Sequence, residues 1–413
     1  MTGTLAPAAR PHEAAAHRDP NVLRWLGAFV SSAVGDNVYY IALSWAAVQA
    51  GTPTQAGLVT AASALPRALL MLGGGVVADR YGPRRVVLGS TAVRCGLVLT
   101  AAALLLATGP GLWALGAVAV LFGVVDAVFL PAAGALPARI TGRAQLARVQ
   151  GMRGLATRLA NVLGGPLGGL GVALGGTAGA FGLAALLVGA SWPLLLAVRV
   201  GPLPPGERQE RRAVPAELRD GLRHIRKDAV LGPLVLAAAL SDLGFVGPMN
   251  LGLTVLAQQR GWGSAGMGWV LAGFGTGAGA ASLLLTWRGR VPRAGAVLAL
   301  TTLLGAAAVA ALAQVPSVAG AAGVALLVGL SAGMSGALAG ALVQARAGAA
   351  YIGRVTAVVT LVGFGVAPLT FPLVGGAVAA WGSGPVFAVC AAVSGLGGVV
   401  VLAAGALRRA ELT

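Results

Sequence analysis

The chain has 413 residues, of which 57% are hydrophobic and only 10% are charged, and its formal net charge is +17. A soluble domain has about a quarter charged residues, so this composition excludes an ordinary soluble protein. A nucleic-acid-binding role is also excluded, because the basic residues recur in short segments between apolar runs and do not share one domain. The apolar runs are long and lack the alternation of a barrel strand, so they predict membrane-spanning helices.

Twelve such runs follow one another along the chain, six on each side of a basic central segment. We therefore predict an all-α membrane protein of two pseudo-symmetric six-helix bundles. The predicted parts are a cytoplasmic tail (1–21), a first bundle (22–199), a cytoplasmic linker (200–229), a second bundle (230–407) and a cytoplasmic tail (408–413). The predicted spans are 22–50, 55–78, 85–108, 111–137, 145–173, 176–199, 230–258, 264–287, 293–314, 317–345, 353–380 and 383–407.

The connections between the spans alternate between basic and nearly uncharged segments. The nearly uncharged set has a single basic residue, Arg260, whereas the other set is rich in arginine. Positively charged connections stay on the cytoplasmic side of a membrane. The alternation therefore predicts a multi-pass protein of the inner (plasma) membrane with both termini in the cytoplasm.

The central linker contains a second signal. Leu218, Leu222 and Ile225 recur at helical spacing with basic residues between them. This pattern predicts a short amphipathic helix on the inner face of the membrane. The alternative is a solvated linker whose positive charge only sets the membrane orientation.

The two halves of the chain match one another at an offset of 206 residues. The acidic match is informative, because the chain has only 12 acidic residues. Duplicated chains of apolar segments are typical of secondary transporters, in which the substrate path lies between the repeats. The matching positions are Asp36 and Asp242, Arg148 and Arg354, Pro166 and Pro372, and Gly169 and Gly375.

The connection after the second span has a distinctive pattern of glycine, acid and arginine. It contains Gly75, Asp79, Arg80, Gly82, Arg84 and Arg85. This pattern resembles the loop signature of the major facilitator superfamily, Gly-x-x-x-Asp-Arg/Lys-x-Gly-x-Arg/Lys-Arg/Lys. The resemblance implies two six-helix bundles around a central cavity, and a conformational latch at this loop. The alternative is a loop that only fixes membrane topology.

The chemistry of this loop fits the latch that the resemblance implies. Asp79 can face the positive N-terminus of a neighbouring helix. The arginines can donate charge-assisted bonds to helix-end carbonyls and to anionic lipid.

A run of glycines with one proline lies in the fifth span. It resembles the Gly-Pro-x-x-Gly-Gly element of exporters in this superfamily, at a spacing one residue shorter. Proline kinks a helix and glycine permits close helix packing, so we predict a hinge or packing motif, with a packing seam of no directional meaning as the alternative. Looser similarities at 35–37 and 217–228 resemble the branch of drug, macrolide and siderophore exporters. The predicted motif residues are Gly165, Pro166, Gly168 and Gly169.

Three acidic residues lie deep in predicted spans, at Asp36, Asp126 and Asp242. A charged acid at this depth is costly unless it is paired, solvated or protonated, so we predict a role in proton coupling or in binding a cationic substrate. The alternative is structural pairing with a membrane arginine, for which the sequence offers Arg67, Arg94, Arg153 and Arg158. Further candidates for the cavity are Asn37, Tyr40 and Arg67.

The sequence contains no nucleotide-binding loop, catalytic triad or metal-ligand spacing, so we predict no enzyme activity, no cofactor and no metal. The proton gradient is then the expected energy source, and a cavity with few charges favours amphipathic or lipophilic cargo. We expect a monomeric, proton-coupled exporter of drugs or secondary metabolites. Its partners would be the small-molecule substrate, protons and the lipid bilayer, with no nucleic acid. The alternatives are an importer or facilitator of a small nutrient or lipid, and a non-transporting membrane sensor or enzyme.

Overall fold

The computed structural model describes residues 16–109, 111–201, 214–288 and 291–412. Within these residues the chain is helical apart from short connections, and no β-strand occurs. The helices are α1 (Pro20–Ala50), α2 (Pro53–Tyr81), α3 (Pro83–Thr108), α4 (Leu112–Ala135), α5 (Pro137–Ile140), α6 (Arg143–Leu196), α7 (Val214–Lys227), α8 (Leu231–Gly247), α9 (Leu253–Gln259), α10 (Gly263–Arg288), α11 (Ala294–Leu312), α12 (Val318–Trp381), α13 (Ser383–Ala403) and α14 (Gly405–Arg408). A π-helical turn, Pro248–Gly252, joins α8 to α9.

Two of these helices are each two membrane crossings joined at a glycine. Gly176 breaks α6 with a φ of 63°, and Gly348 breaks α12 with a φ of 66°. Glycine adopts this left-handed conformation without steric cost, whereas other residues would be strained there. We refer to the arms of α6 before and after its break as α6a and α6b, and to those of α12 as α12a and α12b.

The helix count agrees with twelve crossings. By length and composition, nine helical segments in the described part of the chain can span a membrane, and the bent α2 makes ten. One of these segments, 148–196, contains the Gly176 break and therefore supplies two crossings. These segments give eleven crossings. The twelfth is α1, a helix of 31 residues with Asp36 and Asn37 in its middle. The predicted all-α architecture is confirmed.

The crossings pack as two bundles, α1 to α6b and α8 to α13. Within the first bundle α1 packs on α6 and α2 on α4, and within the second α8 packs on α13 and α11 on α12. Two main contacts join the bundles: α2 packs on α12, and α10 packs on α6. The predicted tail at 1–21 and the linker at 200–229 lie partly outside the described residues.

The predicted amphipathic linker helix is α7, which packs against the second bundle. Its Ile225 is buried. Asp220 lies 3.8 Å from Arg354, and the ring of His224 stacks on Tyr351 with 4.3 Å between their centroids. Both partners lie in the first turns of α12b, so α7 contacts the beginning of a helix that also packs on the first bundle.

Candidate functional site

A cavity of about 220 Å³ lies between the two bundles, and we call it the central cavity. Helices α1, α2 and α6a contribute one wall, and the chain from α8 to α10 together with α12b contributes the other. Three predicted candidates line it: Asn37, Tyr40 and Arg67. The side-chain nitrogen of Asn37 donates to the Asn161 oxygen at 3.3 Å, and Asn250 is on the opposite wall. The polar and charged groups among the described lining residues therefore lie mainly on the first-bundle wall, and the opposite wall is apolar apart from Asn250.

Asp36 and Asp126 lie behind the wall of the central cavity, in contact with Arg94. Arg94 is fully buried and forms an ion pair with Asp36, and its Nε lies 4.0 Å from a carboxylate oxygen of Asp126. The rings of Phe122 and Phe129 lie 5.1 Å and 4.2 Å from its guanidinium carbon. The surroundings of Arg94 thus combine negative charge with aromatic faces, which both stabilise a buried cation.

Arg67 links this buried network to the central cavity. Its guanidinium donates to the Tyr40 hydroxyl at 2.9 Å and to Asp126 at 3.5 Å. The guanidinium also lies 4.9 Å from the ring of Phe364, which belongs to the second bundle. Two arginines and two acids therefore balance one another in the first bundle, and one of the arginines reaches the opposite bundle.

Asp242 lies in a different place, inside the second bundle. It lines a cavity of about 290 Å³ between α8, α11, α12a and α13, which we call the second-bundle cavity. Within the described residues Asp242 forms no ion pair. Hydroxyl groups line the same cavity, and those of Thr301 and Ser335 lie 2.9 Å apart. The three predicted acids are thus divided between two separate environments.

The structure also corrects the register in which Asp36 and Asp242 were matched. The same close contact occurs once in each half. A Cβ at Gly35 would lie 3.1 Å from the carbonyl oxygen of Ala184, and a Cβ at Gly244 would meet the carbonyl oxygen of Cys390. Ala184 and Cys390 are 206 residues apart, but Gly35 and Gly244 are 209 apart. The position equivalent to Asp36 is therefore Phe245. A single offset fails because the connections between helices differ in length between the halves.

The fifth-span motif forms a seam between the bundles. A Cβ at Gly169 would lie 2.6 Å from the carbonyl oxygen of Ser264 and 2.7 Å from the Cα of Gly268. A Cβ at Gly165 would lie 2.5 Å from the Cβ of Leu271. Only glycine permits this approach of α6a to α10. The nonhelical break in α6 is at Gly176 and not at Pro166, and these contacts are packing contacts, while the hinge role stays a prediction.

A second seam relates to the first by the internal repeat. A Cβ at Gly57 would lie 2.6 Å from the carbonyl oxygen of Phe371, and a Cβ at Gly375 would meet that of Pro53. Gly375 and Gly169 are 206 residues apart, as the sequence match indicates. Gly168 faces inward instead, where its Cβ would lie 2.8 Å from Ile41 in α1. The repeat therefore appears in three dimensions as two equivalent contacts between the bundles.

The loop signature lies at the end of α2 and the beginning of α3. Gly82 joins the two helices with a φ of 84°, and Arg84 donates to the carbonyl oxygen of Leu196 at 2.8 Å. This bond ties the loop to the end of α6b in the same bundle. The latch role stays a prediction. The signature residues are Gly75, Asp79 and Arg80 in α2, Gly82 at the junction, and Arg84 and Arg85 in α3.

Sequence reasoning did not find the hydroxyl cluster of Thr301, Thr302 and Ser335. Serine and threonine in helices often bond to their own backbone, so these residues have no distinctive sequence signal. The sequence offered Arg94 as one of four possible arginine partners for the acids, but only the packing of the helices shows that it is the partner of Asp36. Within the described residues, no three groups that commonly bind metals lie together.

Residues 25–364 match the model of the Major Facilitator Superfamily. No curated protein matches the chain. Among solved structures, the nucleoside transporter NupG aligns with a TM-score of 0.71 at 12% identity, over 94% of this chain and 100% of that chain. A bacterial homologue of the human lysosomal transporter Spinster, inward-facing and occupied, aligns with a TM-score of 0.65 at 13% identity, over 94% of each chain.

The human organic anion transporter MFSD10 (TETRAN) aligns with a TM-score of 0.63 at 18% identity, over 94% of this chain and 100% of that chain. These low identities show a shared fold, whereas the family match covers most of the sequence. The chain therefore belongs to the Major Facilitator Superfamily and is a multi-pass membrane protein.

Proposed function

We propose that this protein is a secondary active transporter that exports amphipathic or lipophilic small molecules, such as drugs or secondary metabolites, in exchange for protons. The central cavity is the observation that carries the proposal. Among the described residues its second-bundle wall is apolar apart from Asn250, and polar groups such as Asn37 and Asn161 line the first-bundle wall. Such a cavity takes a ligand of mainly apolar surface and orients it by few hydrogen bonds. Met249 and Met267 in the wall can adapt to ligands of different shape.

The two glycine seams support alternating access. Both seams lie toward the ends of the helices that the charge pattern predicts to be extracellular. At the opposite ends, a Cβ at Gly73, Gly75 or Gly353 would have no neighbour within 4 Å. The seams therefore hold the bundles together at one end, and a rocking motion about the central cavity would transfer the close contact to the other end.

The ion network of the first bundle supplies a physical route for proton coupling. Protonation of Asp126 removes the negative charge next to Arg67, and protonation of Asp36 does the same for Arg94. An uncompensated arginine is unfavourable within a membrane, so a conformation that gives it another partner is then favoured. Because Arg67 also faces the central cavity and Phe364, its rearrangement would reach both the substrate and the second bundle.

A transport assay tests this function with Nile red, a neutral lipophilic dye. Cells that make the protein should accumulate less dye than cells that do not, and a protonophore should abolish the difference. A seam variant, Gly169→Leu, serves as the inactive control. Greater accumulation in producing cells would overturn export in favour of import, and an unchanged difference with the protonophore would overturn proton coupling.

We also propose that the protein lies in the inner (plasma) membrane, with both termini in the cytoplasm. Gln258 lies at an exposed end of α9 and Arg219 is exposed on α7. In a background with Cys95→Ala and Cys390→Ala, a membrane-impermeant maleimide added outside should label Gln258→Cys and not Arg219→Cys. The reverse pattern would overturn the orientation.

A further inference from the structure

We propose that the second-bundle cavity binds a small organic monocation, whose ammonium or guanidinium head pairs with Asp242. This site is separate from the central cavity and does not depend on the exported cargo. The interior of the second bundle differs from that of the first in both space and charge.

Helix α12a repeats α4 at an offset of 206 residues. A Cβ at Gly123 would meet the carbonyl oxygen of Ser63, and a Cβ at Gly329 would meet that of Phe274 in the equivalent helix pair. These shared close approaches fix the register. The positions that correspond to Phe122, Asp126 and Phe129 in the first bundle are therefore Val328, Ala332 and Ser335, and all three line the second-bundle cavity.

Helix α11 repeats α3 with an offset of 208, as its buried face shows. In α3 the buried sequence is Thr91, Arg94 and Val98, and in α11 it is Ala299, Thr302 and Ala306. Thr302 therefore stands where the first bundle has Arg94, and it also lines the cavity.

These replacements explain the cavity. In the first bundle the guanidinium of Arg94, with Phe122 and Phe129 beside it, occupies the interior. In the second bundle a threonine, a valine and a serine are the counterparts of these three large side chains. Because these side chains are smaller, a cavity of about 290 Å³ remains where the first bundle has Arg94 and its two aromatic neighbours.

The charges differ in the same way. In the first bundle Arg94 and Arg67 compensate Asp36 and Asp126. Among the described residues Asp242 has no such partner, and neither arginine nor lysine lines the second-bundle cavity. A charged carboxylate within a membrane is costly unless it is paired or solvated. A ligand with one positive charge would restore the balance that the first bundle achieves with its own side chains.

The remaining lining residues indicate an organic cation. The hydroxyl of Ser335 lies 2.9 Å from that of Thr301 and 3.4 Å from that of Thr302, so oxygen acceptors are close together in the cavity that Asp242 lines. The other walls include Leu234, Leu298 and Phe245, which suit a short hydrocarbon or aromatic body. The volume is at the lower end of the range for small-molecule pockets, which favours a ligand smaller than a drug.

Phe245 separates this site from the central cavity. Its ring lines the second-bundle cavity and lies 5.9 Å from the ring of Phe274, which lines the central cavity. A ligand at Asp242 would therefore contact the wall of the transport path without entering it.

Equilibrium binding tests the proposal. The full-length protein in lipid nanodiscs is titrated with radiolabelled 2-phenylethylammonium. We expect saturable binding to the wild-type protein and an affinity at least tenfold lower for Asp242→Asn. Ser335→Phe, which introduces the aromatic residue found in the first bundle, should also abolish binding. Asn250→Ala, in the central cavity, should bind the amine as the wild type does.

Equal affinity in the wild type and Asp242→Asn, or no saturable binding to the wild type, would overturn the site. Weakened binding to Asn250→Ala with normal binding to Asp242→Asn would place the amine in the central cavity instead. A second measurement does not need a variant: the amine should protect Asp242 of the wild type from an apolar carbodiimide, as read by mass spectrometry. Protection by sodium and not by the amine would show an inorganic-ion site. None of these results depends on the export of Nile red.

Discussion

The two bundles have the same arrangement of helices but opposite interiors. In the first bundle Arg94 pairs with Asp36, and the aromatic rings of Phe122 and Phe129 lie against its guanidinium. In the second bundle Asp242 borders a cavity of about 290 Å³ and has no ion-pair partner among the described residues. A duplicated fold can therefore hold a closed ion network in one copy and an open cavity in the other, through the change of a few large side chains.

The contacts between the bundles have diverged less than their interiors. Gly169 faces Ser264 in one seam and Gly375 faces Pro53 in the other, and both contacts involve backbone atoms. Close backbone contact depends on the absence of a side chain, so substitution at these positions is restricted. The interiors can vary more freely because a changed volume there creates a cavity and does not prevent the bundles from meeting.

The largest effect is expected from Arg94→Leu, which tests whether the first bundle depends on its internal charge balance. The change leaves Asp36 and Asp126 with less compensation in a buried site, and breaking a buried pair costs about 3–5 kcal/mol. Thermal unfolding of the purified protein, followed by tryptophan fluorescence, should show a much lower midpoint.

The matched control for this variant is Asp242→Asn, which should change stability by only about 0.5 kcal/mol because no protein cation is left unpaired. The double variant Asp36→Asn/Arg94→Leu should recover part of the lost stability. Equal midpoints for Arg94→Leu and Asp242→Asn would show that the two interiors do not differ in this way.

The next effect concerns the seams, where Gly169→Leu and Gly375→Leu should act alike. A side chain at either position would meet backbone atoms of the opposite bundle, and overpacking of this kind costs about 1–3 kcal/mol. Both variants should lose most Nile red export while still inserting in the membrane. Gly175→Ala is the control, since a Cβ there has no neighbour within 4 Å. A loss of export in only one seam variant would contradict their equivalence.

We expect proton coupling to depend on the acid of the first bundle, Asp36, and not on the acid of the second bundle, Asp242. Asp36→Asn imitates a permanently protonated carboxyl, so gradient-driven accumulation in proteoliposomes should fall at least tenfold, while downhill exchange of dye continues. Asp242→Asn should retain gradient-driven transport of the neutral dye. If Asp36→Asn keeps pH-dependent transport, the coupling site lies at Asp126 or Asp242 and the pairing of Asp36 with Arg94 is structural.

The smallest effect is expected at the loop after α2. Asp79→Asn removes a charge that can face a helix N-terminus, an interaction of about 0.3–1 kcal/mol. The protein should insert normally and transport about fivefold more slowly in proteoliposomes. The corresponding loop of the second half has no acid. Turnover equal to that of the wild type would argue against the latch and leave the loop as a topology signal.

Part of the candidate site could be predicted from residue type alone. Asn37, Tyr40 and Arg67 were predicted for the central cavity, and all three line it. Polar residues in an apolar helix are costly toward lipid, so their presence indicates an interior position. The partner of Asp36 could not be predicted, because four membrane arginines were available and the choice among them depends on the rotation of each helix.

The sequence by itself determined the all-α architecture, the twelve crossings and the paired seam glycines, because apolar length and the spacing of small residues are properties of the chain. Tertiary structure alone decided that Arg94 neutralises Asp36, that Phe245 and not Asp242 is the counterpart of Asp36, and that the second bundle contains a cavity. Those features depend on how helices from distant parts of the chain are rotated and shifted against one another. A side chain's partner and the volume around it exist only after that packing.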